Sequence, residues 1–205
     1  MKKATRNDKI VVEQIIVEAF RNNMSINSMI RPTANKERAL KRIAEYVFNF
    51  AVKRDGIYIS SDAKGLVIYC EQPIEMDLID YWNRLKLIVS ALNLRKLSTV
   101  FHRNAYINSV RPTNEKAIHL WCVALSEKAR GNTTANEIKN FVFEKATQAQ
   151  LPIYVETALW KHKIVYERYG FETYHYWEDA GVKLKTWFLK KKVNPFLLTD
   201  MNYMQ

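Results

Sequence analysis

AIHLWCVALSEKARGNTTANEIKNFVFEKA, residues 117–146, is the stretch that decides how the chain is read. AIHLWCVAL at 117–125 is a long, mostly apolar run with His119 alternating with Trp121 and Val123, and it predicts a strand. NEIKNFVFEKA at 136–146 sets Ile138, Phe141, Val142 and Lys145 on one face and predicts a helix. Between them lies the polar loop SEKARGNTTANE, with Arg130, Gly131, Asn132, Thr133, Thr134 and Ala135 in its second half. A loop that feeds a helix N-terminus presents unpaired backbone N–H groups and the positive end of the helix dipole. Such a junction suits a pyrophosphate, and a glycine lets the backbone come close to it. The loop follows neither the Walker pattern nor the dinucleotide-binding fingerprint, and Thr133 and Thr134 are also ordinary helix-capping residues.

Working outward, LPIYVET at 151–157 predicts a strand, followed by a short helix through Tyr166 and Tyr169. FETYHYW at 171–177 and VKLKTWFL at 182–189 alternate as strands joined by a turn at Gly181. Upstream, GIYIS at 56–60 and GLVIYC at 65–70 flank a short polar turn and predict an antiparallel hairpin. Asp8 is placed to cap a helix carrying Val11, Val12, Ile15, Ile16 and Ala19, and Leu40, Ile43, Val47, Phe50 and Ala51 mark a second helix. After Pro73, helical spacing returns through Met76, Ile79, Trp82, Leu85, Val89 and Leu92, and 94–108 reads as helical too. No repeat, linker or composition break interrupts the chain. The reading is one α/β domain over 1–205 with a central mixed sheet flanked by helices, a helical insertion at about 75–108 and a C-terminal tail from about 191.

Composition narrows the classes. With 205 residues, 48% hydrophobic and 26% charged, the chain is long enough to bury a core and is neither collagen-like nor disordered. No apolar run reaches the ~20 residues of a membrane span. The basic start MKKATRNDK leads into EQ and EAF rather than an apolar stretch, so no signal peptide is expected. Cys70 and Cys122 form no CxxC and no Cys/His cluster, so neither a disulfide scaffold nor a metal site is expected, and a reducing cytoplasm is the expected compartment. A net charge of +11 favours anionic partners, although the basic residues are scattered apart from Lys183, Lys185, Lys190, Lys191 and Lys192. No basic-plus-aromatic surface pattern is legible, so a nucleic-acid binder is the lesser reading. Only five glycines occur, about a third of the usual share.

In two places the sequence resembles the GNAT superfamily of acyl-CoA N-acyltransferases. RGNTTA at 130–135 is similar to that family's pyrophosphate loop, [Q/R]-x-x-G-x-[G/A], at Arg130 and Ala135, and departs from it at Thr133, where glycine is usual. YERYGFE at 166–172 resembles the family's tyrosine ahead of a Gly-Phe pair, with Tyr166, Gly170 and Phe171 in register. The order of elements matches over most of the chain, with 75–108 as an insertion before the fourth strand and a mostly antiparallel sheet. The resemblance implies an N-acetyltransferase using acetyl-CoA and no metal, as a monomer or homodimer, on a small-molecule or peptide amine. It implies that Val123, Ala124 and Leu125 hold the pantetheine arm, that residues 130–135 hold the pyrophosphate, and that His162 lies near the cofactor. Tyr166 is the implied proton donor to the leaving thiolate. For the base the choices are His119, Glu156 or a water-relayed group. Trp160, Tyr174, Tyr176 and Trp177 suit packing and an acceptor pocket equally, and a CoA-binding protein without transferase activity is the alternative function.

Overall fold

The computed structural model describes residues 1–193 except 33, 113–114, 130–131 and 180–183, and excepting the side chains of Met24 and Asn132. The elements run β1 (Lys2–Lys3), α1 (Lys9–Phe20), α2 (Met24–Met29), α3 (Lys36–Lys53), β2 (Ile57–Ile59), β3 (Gly65–Gln72), α4 (Leu78–Ala91) and α5 (Leu97–Val110). They continue with β4 (Ala117–Leu125), α6 (Asn132–Ala149), β5 (Ile153–Thr157), α7 (Trp160–Arg168), β6 (Glu172–Asp179) and β7 (Leu184–Lys191). The strands form one sheet in the order β1-β2-β3-β4-β5-β7-β6. Every neighbouring pair is antiparallel except β4–β5. Parallel neighbours need a crossover rather than a hairpin, and α6 supplies it. The expected mixed sheet is present, with α4 and α5 inserted before the fourth strand.

Apolar residues on both faces of the sheet build two cores. On one face, Val12, Ile15 and Ile16 of α1 and Leu40, Ala44 and Phe48 of α3 bury against Leu66, Ile68 and Ala124. On the other, Ile138, Val142 and Ala146 of α6 bury against Val67, Ile118, Leu120, Ile153 and Val155. This is why residues 65–70 of β3 are buried without interruption: a central strand covered on both sides has no solvent face.

Two expectations are corrected. The Asp8 carboxylate does not cap α1. It accepts from the Thr5 N–H and hydroxyl, both at 2.8 Å, and pairs with Lys2 at 2.9 Å, closing the turn ahead of the helix. In α4 the inward positions are Asp80 and Ala91, while Leu78, Ile79, Trp82, Leu85 and Val89 face outward; Trp82 and Val89 are each 58% exposed. Helical spacing shows that a helix has an apolar stripe, not which side the rest of the chain covers. No helix among the described residues is long and apolar enough to cross a membrane.

Asp80 ties α4 to α3. Its carboxylate is 3% exposed and pairs with Arg54, whose guanidinium also lies over the Phe50 ring at 3.8 Å from the centroid. The Arg54 hydrogen bond, acting against the penalty of burial, holds the Asp80 carboxyl at about 2. A carboxyl depressed on folding adds stability above its unfolded value near pH 4, and that contribution is lost as pH falls towards 2. Asp80→Asn should therefore cost roughly 2 kcal/mol at pH 7. In urea unfolding the gap from the wild type should close between about pH 4 and 2.

Candidate active site

The parallel pair β4–β5 is in register at two positions, Ile118 with Ile153 and His119 with Tyr154. Beyond them β4 runs on through Leu120–Leu125, and β5 through Val155–Thr157, each paired to its other neighbour. One edge of Leu120–Leu125 is thus left without a strand partner among the described residues. The cause lies on the opposite edge. Against β3, Ile68 faces Cys122 while Tyr69 faces Leu120, so Trp121 is an extra residue, a bulge. A bulge bends its strand and increases the local twist, which peels β4 away from β5. The Trp121 ring rests on Phe50 of α3, centroids 4.8 Å apart.

The open end of the V leads into α6. This helix starts at Asn132, four residues earlier than its apolar spacing indicates, so Thr133, Thr134 and Ala135 form its first turn rather than a loop. The N–H groups of Thr133 and Thr134 are among the four that no intrahelical carbonyl can satisfy. Thr134 is turned inward: its hydroxyl donates to Asp62 at 2.7 Å, so its side chain does not face a ligand. Glu137 accepts from the Ser61 N–H at 3.1 Å and adds a second tie to the 60–64 turn. Gly65 makes this approach possible, since a Cβ there would stand 2.7 Å from Thr134 Cγ2 and 2.8 Å from Leu125 Cδ2. Thr133 is exposed. Arg130 and Gly131 lie outside the described residues, as does the Asn132 side chain.

Tyr166 approaches β4 from α7. The helix ends in a Schellman cap: Gly170, at φ +82, donates to the Glu167 carbonyl at 2.9 Å, and Phe171 to the Tyr166 carbonyl at 3.0 Å. The Phe171 ring packs edge-on to Tyr166, centroids 5.3 Å apart, which is the apolar contact such caps carry. The Tyr-x-x-x-Gly-Phe pattern is thus first a helix stop that fixes the tyrosine. Burial pushes the Tyr166 phenol up, and the nearby Cys122 of β4 adds to the rise, so the hydroxyl keeps its proton. His162, one turn earlier on α7, is exposed.

On the sheet face opposite α6, His119 of β4 is 1% exposed, and its Nε2 lies 2.7 Å from Glu156 Oε2 across the vertex of the V. Arg111, the residue that ends α5, grips the same carboxylate twice, Nε to Oε1 at 2.8 Å and Nη2 to Oε2 at 2.9 Å. Burial alone would raise the Glu156 carboxyl. Hydrogen bonds from His119 and Arg111, together with the Arg111 charge, outweigh it and hold the group well below the usual carboxylate range. Glu156 is therefore an occupied, weakly basic carboxylate, poorly suited to taking a proton from an amine. Arg111 was missed in the sequence, where an arginine 45 positions from its partner carries no signal. Nearby, Tyr106 of α5 stacks on Trp177 at 4.3 Å and bonds His175 Nε2 at 2.9 Å. Tyr174 meets Tyr154 and Phe188 edge-on, whereas Tyr176 and Trp160 pack on Trp187 of the other face.

No protein-family model and no curated protein sequence matches the chain. Solved structures do. The Corynebacterium glutamicum "histone acetyltransferase HPA2 and related acetyltransferase" is 20% identical with a TM-score of 0.66, covering 94% of each chain. Arylalkylamine N-acetyltransferase 2 of Aedes aegypti is 14% identical, also with a TM-score of 0.66, over 94% of this chain and 98% of its own. The polyamine N-acetyltransferase of Drosophila melanogaster is 9% identical with a TM-score of 0.55, over 93% and 98%. The fold is that of the GNAT superfamily.

Several of the described candidate residues lie around the V. Val123, Ala124 and Leu125 border it with an unpaired backbone edge, their side chains turned into the cores. The start of α6 stands at its open end, with Tyr166 beside β4 and His119 at its vertex. Two cavities of about 330 and 630 Å³ lie elsewhere, one lined by Arg31, Arg38 and Arg42 and one between α3 and α4, and neither touches β4 or β5.

Proposed function

We propose that the chain transfers an acetyl group from acetyl-CoA to a primary amine by direct attack. The observation that carries this reading is the vacant strand edge of Leu120–Leu125, opening onto the first turn of an 18-residue helix. An extended amide-bearing chain can pair with such an edge as an added strand. The N–H groups of 132–134 and the dipole of α6 suit a pyrophosphate. Glycine at 65 keeps the helix start close against β3, which fits the first turn of α6 to that role. An amine acceptor is in keeping with the arylalkylamine and polyamine N-acetyltransferases that share the fold.

Acetyl-CoA supplies a thioester carbonyl and a thiol leaving group. The chain supplies the proton traffic and the charge stabilisation. A β4 N–H on the unpaired edge would donate to the carbonyl oxygen as charge develops there. The amine must arrive without its extra proton, since an ammonium has no lone pair. As nitrogen bonds to the carbonyl carbon and the C–S bond breaks, the amine gives up one proton and Tyr166 donates one to the departing sulfur. The raised phenol suits a donor that must be protonated at neutral pH.

Two measurements test this reading. CoA at one hundred times its Kd should stabilise the protein by roughly 2.7 kcal/mol, read as a rise in Tm; a folded protein with no shift at millimolar CoA contradicts it. With an amine found by screening, Tyr166→Phe should lower kcat by roughly 10²-fold or more while leaving the KM for acetyl-CoA nearly unchanged. A variant that turns over at the wild-type rate would leave Tyr166 a packing residue.

A further inference from the structure

We infer that Arg111 and Glu156 act as a positioning pair for His119, fixing its imidazole as the Nε2–H tautomer and leaving Nδ1 as the acceptor of the amine's proton. The inference rests on the acetyl-transfer reading above and adds to it the origin of the base and a task for the inserted helices.

The geometry gives each part. An ionised carboxylate only accepts hydrogen bonds, so at the 2.7 Å contact the imidazole Nε2 must be the donor. A neutral imidazole protonated at Nε2 carries its lone pair on Nδ1. That Nδ1 is buried and finds no partner among the described residues. A buried polar atom without a partner carries a desolvation cost and calls for an explanation. Packing alone does not give one, because a backbone N–H or a hydroxyl could have been set against that nitrogen. A lone pair held ready for an incoming proton does.

Arg111 completes the arrangement. Glu156 is nearly enclosed, with 12% of its side chain exposed, and a single imidazole would leave one oxygen unpaired. The guanidinium fork takes both oxygens at 2.8 and 2.9 Å and fixes the plane of the carboxylate. Arg111 is itself oriented by Asn108 of the same helix end at 3.3 Å. The helix α5 therefore reaches the vertex of the V through one side chain. Around His119 the other ionisable neighbours are Cys70, its cross-strand partner on β3, Tyr154, its partner on β5, and Tyr174 of β6, near Glu156 and Arg111. Burial pushes the Cys70 thiol up to about 11, and burial raises both phenols, so all three stay neutral. Among the described residues, Arg111 and Glu156 are the charged groups against the ring.

The test needs no acceptor at its first stage. In protein carrying ¹⁵N-histidine, the two-bond ¹⁵N–¹H spectrum distinguishes the tautomers, and His119→Gln assigns the His119 signals among those of His102, His162 and His175. The wild type should show His119 as a neutral ring protonated at Nε2. Arg111→Gln and Glu156→Gln should each give a mixture or the Nδ1–H form. Arg111→Lys, which keeps the charge but not the fork, should fall between. With an accepted amine, Arg111→Gln should lower kcat by about 10- to 100-fold, less than the full worth of a general base, with the KM for acetyl-CoA unchanged. A melting curve and CoA binding check that each variant is folded. An Nδ1–H ring in the wild type, or a folded Arg111→Gln protein with unaltered His119 signals, overturns the inference. If the wild type fails to bind CoA at all, it is the acetyl-transfer reading that fails, whatever the tautomer.

Discussion

The parting of β4 from β5 just after His119 and Tyr154 is the constraint on which the rest of the architecture turns. Two adjacent parallel strands ordinarily satisfy one another's backbone groups, and separating them leaves a row of donors and acceptors exposed along one edge. The structure maintains that edge by bending β4 from its other side. The extra residue at Trp121 breaks the register with β3, and the Trp121–Phe50 contact anchors the bend to α3. An open edge inside a sheet is a feature that needs an occupant, which is why the acyl donor is read into it.

The neighbouring elements are fixed against the V by local rules of a different kind. At the open end, absence of a side chain at Gly65 lets Thr134 and Ile138 of α6 close on β3. At the side, the left-handed turn at Gly170 stops α7 where Tyr166 faces β4. At the vertex, a buried carboxylate is kept ionised by two cationic or hydrogen-bonding partners from separate elements. A buried ion pair of this sort is weak evidence for stability, since desolvation offsets most of the attraction. Its clearer consequence is orientation: three groups with few donors and acceptors to spare admit few arrangements.

Local pattern made much of this legible. The strand at 117–125 matches β4 residue for residue, because eight apolar residues and one histidine between polar breaks suit a strand covered on both faces. The hairpin and the Tyr166–Gly170–Phe171 pattern were equally readable, the latter because a helix stop is written in consecutive residues. What escaped reading depends on partners far away in sequence. The bulge at Trp121 exists only in register with β3. Thr134 reads as a capping residue, yet Asp62, 72 positions earlier, takes its hydroxyl. Glu156 reads as a free acid at a strand end, yet Arg111 occupies it. The stripe on α4 reads as a core face, yet Asp80 carries the inward contact and the stripe lies in solvent.

The claim at the centre is that the free edge of β4 receives the acyl donor. Amide hydrogen exchange with and without CoA tests it directly, peptide by peptide. The account predicts that the segment Leu120–Leu125 and the first turn of α6 gain protection when CoA is added, while β6 and the far end of β7 stay as they were. Protection confined to the arginine-lined cavity near α3, with Leu120–Leu125 unaltered, would contradict it.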